Sequence, residues 1–529
     1  MQWRGGFLLI SVSSFFLWTA WPPNKNVYFI LISLAPVLYS YSVSNDGKCN
    51  YKALALSFIY LFFCNTSVTF WLYKLTYWAL LVHLINSGIF TIPFLIFHFI
   101  TNKYNRYIGY TYFILCWIIL EYLQLHWDLA YPIMVLGNSI SMYPRLFQWY
   151  EFTGVLGGTL WVLFVNVAIC EVFASILNKC DSLKRALISL VIVIAITISF
   201  WFYYQYTENG IRVTVSVLNP NIDCRSEKDI MGTNLLTSRY LKMQDSILES
   251  DVIVWPETAI PNGGLINQLE QNTDLRRIKS ELPSKTTLVT GAVVFENYGV
   301  QPEDRVGLFY YSPYNVWLKT YNALIEVSEK NGILFTRSKT RLVPFEEFTP
   351  YPNILSGIQY VFEPLGNYEF STSRFNRKLL VNDGVAVIPL ICYELLFGSD
   401  IANYITPSNQ IITISLNEGW YYDYEGASQF FYYSTLRAVE FRRAIARSSN
   451  GGISGFINQR GQPTIFNKSI TKKNVLTDEL MAGNDITFYS KHGDYLGTIS
   501  SSILIVLSLA LAILRMGQSH LPRRINFLQ

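Results

Sequence analysis

The sequence predicts a bundle of membrane helices into which an α/β domain is inserted. Of its 529 residues, 51% are hydrophobic, 16% are aromatic and only 15% are charged, which is typical of a chain that lies partly in lipid. Apolar stretches of about 20 residues, the length that crosses a bilayer, fill residues 1–204 and return at 498–514. Between these regions, strand-like and helix-like patterns alternate, as they do in α/β domains.

Eight apolar segments are predicted to span the membrane, seven before the polar region and one after it. A cleaved signal peptide is the alternative for the first, but Thr19-Ala-Trp-Pro-Pro23 lacks a small-x-small cleavage site and further apolar segments follow at once. We therefore divide the chain into helices at 1–204, an inserted domain at 205–497, and a last helix with its tail at 498–529. The segments lie at 6–22, 27–43, 52–73, 77–100, 107–124, 154–177, 185–204 and 498–514.

Lysine and arginine residues are unevenly distributed among the connections between these segments. If the amino terminus is cytoplasmic, eleven lie inside and three lie outside. Because positive residues are enriched on the cytoplasmic side, this bias predicts that both termini are inside and that residues 205–497 are outside. The formal net charge of +4 and the lack of a basic block interleaved with aromatic residues argue against a nucleic-acid partner.

The polar region begins with a period-two alternation that is typical of a half-buried strand, Ile211-Arg-Val-Thr-Val-Ser-Val-Leu-Asn-Pro220. Further strand-like runs and three helix-like segments follow it, and their alternation predicts an α/β domain. The strand-like runs are 251–256, 286–295, 333–339, 385–391 and 410–416, and the helix-like segments are 229–249, 264–282 and 426–448.

Three strand-like runs end in side chains that can carry chemistry. Val385-Ala-Val-Ile-Pro-Leu-Ile-Cys-Tyr-Glu394 ends at Cys392, Asp251-Val-Ile-Val-Trp-Pro-Glu257 ends at Glu257, and Gly332-Ile-Leu-Phe-Thr-Arg-Ser-Lys339 ends at Lys339. Open α/β folds place their chemistry at the carboxyl ends of strands. A neutral thiol needs a base to take its proton and a cation to hold the oxyanion that its attack creates. We interpret Cys392 as the nucleophile, Glu257 as the base and Lys339 as the oxyanion group.

Each of these residues has an alternative interpretation. A single carboxylate after a strand is often a cap, a single lysine is usually a solvated charge, and a buried cysteine is usually inert. A Cys224–Cys392 disulfide is also conceivable in an exported domain. A cysteine–histidine site would depend on His492 alone, just before the last apolar segment. The cysteine spacing does not suggest zinc, so we predict no metal and no cofactor.

Three sequence blocks resemble the catalytic blocks of the nitrilase superfamily, in the form found in the apolipoprotein N-acyltransferase family of bacterial inner-membrane enzymes. They are Trp255-Pro-Glu257, Lys339-Thr-Arg-Leu-Val-Pro-Phe-Glu-Glu347 and Cys392-Tyr-Glu394. The resemblance implies an αββα sandwich over about 211–465 and catalytic roles for Glu257, Lys339 and Cys392. It also implies supporting roles for Glu347, Tyr393 and Glu394. From the residues alone, Glu347 could be a surface carboxylate and Glu394 a helix first-turn acid.

The resemblance also implies the substrates. A membrane phospholipid would donate an acyl chain to the thiol, and the α-amino group of a diacylglyceryl-cysteine at a lipoprotein's amino terminus would accept it. A thioester intermediate predicts ping-pong kinetics. The aromatic segment Trp420-Tyr-Tyr-Asp-Tyr424 could line an acyl pocket at the site or serve as plain core, and we expect Trp420 to contact substrate. We expect a monomer.

The loop 125–153 between two predicted spans is rich in tryptophan and tyrosine. An interfacial aromatic belt explains this composition without a function. The resemblance offers another explanation, because Leu136-Gly137 and Gln148-Trp-Tyr-Glu-Phe-Thr-Gly-Val-Leu-Gly-Gly158 are similar to a family loop that leans over the active site. Two other function classes stay open from the sequence: a membrane-tethered amidohydrolase that gives the acyl group to water, and a non-catalytic scaffold that binds lipoproteins.

Overall fold

Long apolar helices form one part of the computed structural model, and two β-sheets form the core of the other. The described residues are 3–42, 51–177, 196–224, 226–227, 231–247, 249–303, 307–355, 369–373, 379–380, 384–467 and 469–519.

The helical part precedes the sheets in sequence, except for its last helix. Among the described residues, four helices (51–68, 79–103, 150–174 and 495–516) are long and apolar enough to cross a membrane. The prediction of a membrane-helical part is confirmed, whereas the number of eight spans stays a prediction. The helices are α1 (Trp3–Ala20), α2 (Ala35–Ser42), α3 (Tyr51–Val68), α4 (Leu72–Leu75), α5 (Ala79–Lys103), α6 (Arg106–Gln124), α7 (Tyr150–Leu177), α8 (196–205) and, at the end, α15 (Tyr495–Ser519).

Helix α15 presents apolar side chains outward along its length. Val506 is 64% exposed and Leu509 is 59% exposed. Soluble proteins rarely expose so large an apolar patch to water, whereas lipid would cover it in a membrane. Most of the seventh predicted span, 185–204, lies outside the described residues.

The second part contains two sheets whose facing surfaces pack together. The larger has the order β14-β1-β2-β4-β6-β5, with β3 on β4 and β7 on β6, and the smaller has the order β13-β12-β11-β10-β9-β8. The strands are β1 (Ile211–Asn219), β2 (Val252–Val254), β3 (Ile260–Leu265), β4 (Thr287–Asn297), β5 (Leu308–Tyr311), β6 (Val316–Ser328), β7 (Gly332–Ser338), β8 (Leu379–Leu380), β9 (Ala386–Ile391), β10 (Gln410–Asn417), β11 (Ile445–Asn450), β12 (Gly455–Ile457), β13 (Pro463–Phe466) and β14 (Asn474–Ala482).

Helices cover the outer faces of both sheets. Val215 and Val254 of the larger sheet and Ile411 of the smaller belong to the apolar core between them, as expected for face-to-face packing. Helices α9 and α10 pack outside the larger sheet, and α13 packs outside the smaller one. The prediction of an α/β domain is confirmed. The remaining helices are α9 (Thr233–Gln244), α10 (Thr273–Glu281), α11 (Pro352–Leu355), α12 (Gly398–Ala402), α13 (Tyr424–Phe441) and α14 (Phe488–His492).

All three predicted helices are shorter than expected, and α9 covers only Thr233–Gln244 of the predicted 229–249. The segment 426–448 was predicted to be helical throughout, but α13 ends at Phe441 and Ile445–Asn450 forms β11. Arg442 ends the helix in a left-handed conformation, with φ +50°, and β11 then pairs in parallel with β10. In the predicted helix 264–282, only α10 is α-helical. It begins at Thr273 because the side chain of Asn272 caps its first turn.

Helix α13 joins the two parts of the molecule. The Gln429 side-chain amide donates to the carbonyl oxygens of Pro22 (3.2 Å) and Val68 (2.7 Å). Trp71 Nε1 donates to Gln429 Oε1 at 3.0 Å. One turn later, Tyr433 Oη accepts from Trp21 Nε1 at 2.8 Å. These hydrogen bonds satisfy backbone carbonyls that the ends of the membrane helices leave unpaired, and they fix the sheets against the helices.

Arg442, directly after α13, makes a further connection. Its Nε donates to Glu151 Oε2 at 2.6 Å and its Nη1 donates to Gln148 Oε1 at 2.8 Å. The guanidinium carbon lies 4.1 Å from the ring centre of Tyr206. Because the side chain of Arg442 is 1% exposed, this charge depends on its protein partners.

We expect Arg442→Ala to lower the free energy of unfolding by about 3 kcal/mol, because Glu151 would lose the cation that compensates its partly buried charge. The measurement is thermal unfolding of the full-length protein in detergent. Arg212→Ala is the matched control: its ion pair with Glu479 is 72% and 53% exposed, and such pairs contribute at most about 1 kcal/mol. Equal unfolding midpoints for the two variants would contradict the structural role of Arg442.

Candidate active site

The ends of three strands bring the predicted residues to one place. Cys392 follows β9, Lys339 follows β7, and Glu257 comes three residues after β2. All three line one cavity. The strands belong to both sheets, so this cavity lies where the carboxyl ends of the two sheets meet. The structure therefore brings together residues that are separated in sequence by up to 135 positions, from 257 to 392.

Lys339 lies between two carboxylates. Its Nζ donates to Glu257 Oε1 at 3.0 Å and to Glu347 Oε1 at 2.9 Å, and its side chain is 1% exposed. Burial opposes the charged form, but the nearby charges of Glu257 and Glu347 outweigh it and raise the pKa of Lys339 well above its ordinary value. The ammonium therefore stays protonated at neutral pH.

Asn322 of β6 completes this arrangement. Its Nδ2 donates to Glu257 Oε1 at 2.7 Å, so that this oxygen accepts from both Asn322 and Lys339. The backbone N–H of Val343 holds the second oxygen of Glu347 at 2.8 Å. Because Oε1 of Glu257 already accepts these two hydrogen bonds, Oε2 is the oxygen suited to exchange a proton with a neighbouring thiol.

Cys392 begins the short 3₁₀ helix Cys392–Leu396 that follows β9. Its φ of +46° is unusual for a residue with a side chain and is found where surrounding structure enforces it. Burial and the negative charge of Glu257 raise the pKa of the thiol well above its ordinary value, whereas Lys339 lowers it. The resting thiol is therefore protonated and needs a base. Cys392 is half-buried, and it forms no disulfide with Cys224.

Glu394 holds the turn that carries Cys392. Its Oε2 accepts from the N–H of Ile391 at 2.7 Å, and its Oε1 accepts from Arg337 Nη2 at 2.6 Å and from the N–H of Thr340 at 2.7 Å. Glu394 therefore links the turn of Cys392 to the segment that carries Lys339. Of the two supporting carboxylates predicted from the sequence, Glu347 contacts Lys339 and Glu394 pairs with Arg337 instead.

Tyr393 and Trp420 also line the cavity. Tyr393 is buried, and its hydroxyl donates to the carbonyl oxygen of Ala130 at 2.8 Å. Ala130 belongs to the loop 125–153 of the helical part, which the sequence had suggested leans over the site, and Tyr131 of the same loop lines the cavity. This part of the loop thus contributes to the site wall.

The cavity has a volume of about 570 Å³ and is mainly apolar. Residues of the helical part form one wall of this cavity. These lining residues include Trp71, Leu75, Trp78, Val82, Ile85 and Ile89. No cluster of three or more histidine, cysteine or acidic side chains that could hold a metal ion is found in the described part of the chain.

Sequence reasoning missed Asn322 and Arg337. Asn322 lies in β6, a 13-residue strand that the sequence did not predict, and its only signal is a polar residue inside the apolar run Tyr321-Asn-Ala-Leu-Ile325. Arg337 was part of a predicted strand, but its role depends on Glu394, which is distant in sequence. Asn417 and Phe430, to which the sequence analysis gave no role, also line the cavity.

The chain matches known proteins over most of its length. Residues 13–168 match the family described as apolipoprotein N-acyltransferase N-terminal domain. The apolipoprotein N-acyltransferase of Chlorobaculum tepidum is 23% identical over 524 residues, which cover 96% of this chain and 95% of the relative. The chain is thus similar to apolipoprotein N-acyltransferases, to their N-terminal family model over residues 13–168 and to this relative over nearly its whole length.

Relatives with higher identity match shorter regions. The apolipoprotein N-acyltransferase of Rhizobium rhizogenes is 32% identical over 257 residues, 47% of this chain and 44% of the relative. That of Allorhizobium ampelinum is 28% identical over 352 residues, 65% of this chain and 62% of the relative. In these matches the chain spans about half of each relative's length.

Solved structures of smaller proteins are similar to part of the chain. An amidase from Nesterenkonia sp. is 12% identical, with 55% of this chain and 96% of the amidase covered and a TM-score of 0.32. Saccharomyces cerevisiae Nit3, a member of the nitrilase superfamily, is 11% identical, with 51% of this chain and 90% of Nit3 covered and a TM-score of 0.32.

The charges around Cys392 predict opposite shifts of the thiol pKa in two variants. Lys339→Met removes the charge that lowers the thiol pKa, so alkylation of Cys392 by a neutral reagent should require a higher pH. Glu257→Gln removes a charge that raises the thiol pKa, so alkylation should reach its half-maximal rate at a lower pH. Mass spectrometry of the Cys392 peptide measures both profiles.

Lys74→Met is the control for this experiment, because Lys74 is half-exposed and pairs with Asp423. Its alkylation profile should match that of the unmodified protein. A shift in the same direction for Lys339→Met and Glu257→Gln would contradict the electrostatic arrangement.

Proposed function

We propose that the protein transfers an acyl chain from a membrane phospholipid, through a thioester on Cys392, to the α-amino group of the N-terminal diacylglyceryl-cysteine of apolipoproteins. The observation that carries this proposal is the Glu257–Lys339–Glu347 cluster next to Cys392, in an apolar cavity whose other wall is made by membrane helices. Relatives named apolipoprotein N-acyltransferase support the same activity.

In the first half-reaction, Glu257 takes the proton of the Cys392 thiol, and the thiolate attacks an ester carbonyl of the phospholipid. Lys339, held as a cation, stabilises the oxyanion of the tetrahedral intermediate. The ester C–O bond then breaks, and the lysophospholipid leaves with the proton that Glu257 had taken. Cys392 is left as an acyl-thioester.

In the second half-reaction, the neutral amine of the acceptor attacks the thioester carbon. Glu257 takes a proton from the nitrogen and passes it to the departing sulfur, so that an amide and a free thiol are formed. The apolar cavity wall favours this outcome over hydrolysis, because it keeps water away from the thioester. Two substrates that use one thiol in turn give ping-pong kinetics.

We assign supporting roles to four further residues. Glu347 keeps Lys339 charged and in position, and Glu394 holds the turn of Cys392. Tyr393 ties this turn to the loop 125–153, and Trp420 offers an aromatic surface to the acyl chain. The contacts of Glu347, Glu394 and Tyr393 described above support their roles, and the place of Trp420 in the cavity wall supports its role.

We further propose a monomeric protein in the bacterial inner membrane with eight spans, at 1–204 and 498–529. The αββα domain at 205–497 would face the periplasm, and both termini would lie in the cytoplasm. The distribution of positive residues supports this orientation. It also fits the chemistry, since phospholipid and lipoprotein would then reach the cavity from the same leaflet.

The test is incubation of the full-length protein with phospholipid vesicles that carry a labelled acyl chain. We expect an acyl adduct that hydroxylamine releases, that is absent in Cys392→Ala, and that disappears when a diacylglyceryl-cysteinyl peptide is added, with transfer of the label to the peptide. Lys339→Ala should reduce adduct formation by about 100-fold or more, the usual effect of losing an oxyanion group.

Other outcomes would contradict the proposal. A hydrolase would release labelled fatty acid without the peptide, and a non-catalytic scaffold would form no adduct. Glu326→Gln is a control for carboxylate loss, because Glu326 is buried in β6 and bonds Asn331, outside the residues that line the cavity. This variant should form the adduct as the unmodified protein does.

A further inference from the structure

The cavity contains a third carboxylate that the mechanism above does not use. Glu346 lines the same cavity as Cys392, and it is half-buried. Its neighbour Glu347 turns inward to Lys339 and to the N–H of Val343. Two adjacent glutamates therefore point to different surroundings, one inside the catalytic cluster and one on the cavity wall.

Glu346 differs from the other cavity carboxylates in having no cation. Glu257 and Glu347 both pair with Lys339, which is the single basic side chain among the described residues that line the cavity. Within the described residues, no lysine, arginine or histidine forms an ion pair with Glu346, whereas the buried Glu394, Glu418 and Glu440 each have an arginine. A carboxylate in an apolar wall without a cation is costly unless a ligand supplies one.

The surroundings of Glu346 suit a positively charged ligand. Burial raises the pKa of this carboxyl to about 7, a hydrogen bond from Thr76 opposes the shift, and the charge of Glu347 adds to it. Thr76 Oγ1 accepts from the N–H of Trp78 at 3.3 Å, which leaves its hydrogen free to donate to Glu346. A cation that enters the cavity would favour the charged carboxylate.

Aromatic rings complete the chemistry of an ammonium site. Trp71, Trp78 and Trp127 line the same cavity, and tryptophan faces attract ammonium groups. We propose that Glu346 binds the primary ammonium group of a lipid substrate and, when that substrate is the acyl acceptor, removes the proton that prevents the amine from attacking. This inference rests on the proposed acyl transfer, and it assigns to Glu346 the recognition of the amine.

The proton balance of this step is simple. The acceptor arrives as R–NH₃⁺, and the Glu346 carboxylate takes one proton to give R–NH₂ and a neutral carboxylic acid. Burial in the cavity wall makes this carboxylate a better proton acceptor than an exposed one, because it raises the pKa of Glu346 towards that of an α-amino group, which is about 8. The amine then attacks the thioester as described, with its second proton going to Glu257. Glu346 returns its proton to water after the product leaves.

Two lipids of the proposed reaction can present a primary ammonium: the acyl donor, when it is a phospholipid with an ethanolamine headgroup, and the diacylglyceryl-cysteine acceptor. The experiment separates them with Glu346→Gln, which keeps the shape of the side chain and removes its charge. The first arm measures thioester formation from vesicles of labelled phosphatidylethanolamine or labelled phosphatidylglycerol, which lacks the ammonium. The second arm adds a diacylglyceryl-cysteinyl peptide to preformed thioester and measures amide formation between pH 7 and pH 9.

If the acceptor amine is the ligand, Glu346→Gln should form the thioester normally but should slow amide formation at pH 7 by about tenfold or more, the loss expected for a charged hydrogen bond. The deficit should shrink towards pH 9, because the acceptor is then already a free amine. If the donor headgroup is the ligand, the unmodified protein should prefer phosphatidylethanolamine, and the variant should lose this preference. Either result supports the ammonium site.

Glu369→Gln is the matched control, since Glu369 is exposed, bonds Thr349 and does not line the cavity; it should behave as the unmodified protein. Two results would overturn the inference. In the first, Glu346→Gln forms thioester and amide at the same rates as the control. In the second, the variant loses thioester formation equally with both phospholipids and loses amide formation equally at every pH, which indicates a structural role. If the unmodified protein forms no thioester, the proposed acyl transfer itself fails, and that result is distinct from both.

Discussion

The site depends on a buried ammonium held between two carboxylates. Lys339 is 1% exposed, so its charge is tolerated only because Glu257 and Glu347 lie within 3.0 Å of it. These three charges come from the end of β7 and from the segments after β2 and β7, and removing Lys339 would leave two buried carboxylates without a cation. The electrostatic requirement therefore fixes the relative positions of these chain segments, and Cys392 experiences a field that is set before any substrate arrives.

Much of the fold and of the central cluster could be predicted from the sequence, because strands that end in polar side chains meet at one edge of a sheet. The roles of residues that depend on a partner distant in sequence could not be predicted in this way. Asn322 has no motif, and the function of Arg337 appears only when Glu394 lies 2.6 Å away. The predicted helix at 426–448 is too long for a local reason, because no glycine or proline lies between Phe441 and Asn450 to mark where the helix ends.

Residues from both parts of the molecule line the cavity. Sequence patterns describe one element at a time, so they could not show that Trp71, near the end of α3, and Tyr131, in the loop 125–153, line the same space as Cys392. The hydrogen bond from Tyr393 to Ala130 connects the residue after Cys392 directly to the helical part. Movement of the helices against the sheets would therefore alter the site itself.

Helix α13 is almost completely buried. Of its 18 residues, 15 are buried, some against the smaller sheet and others, such as Gln429 and Tyr433, against the helical part. An isolated fragment containing only the sheets would expose this second apolar face to water and self-associate. The cavity around Cys392 is therefore complete only when the sheets and the helical part have assembled, because residues of both parts line it.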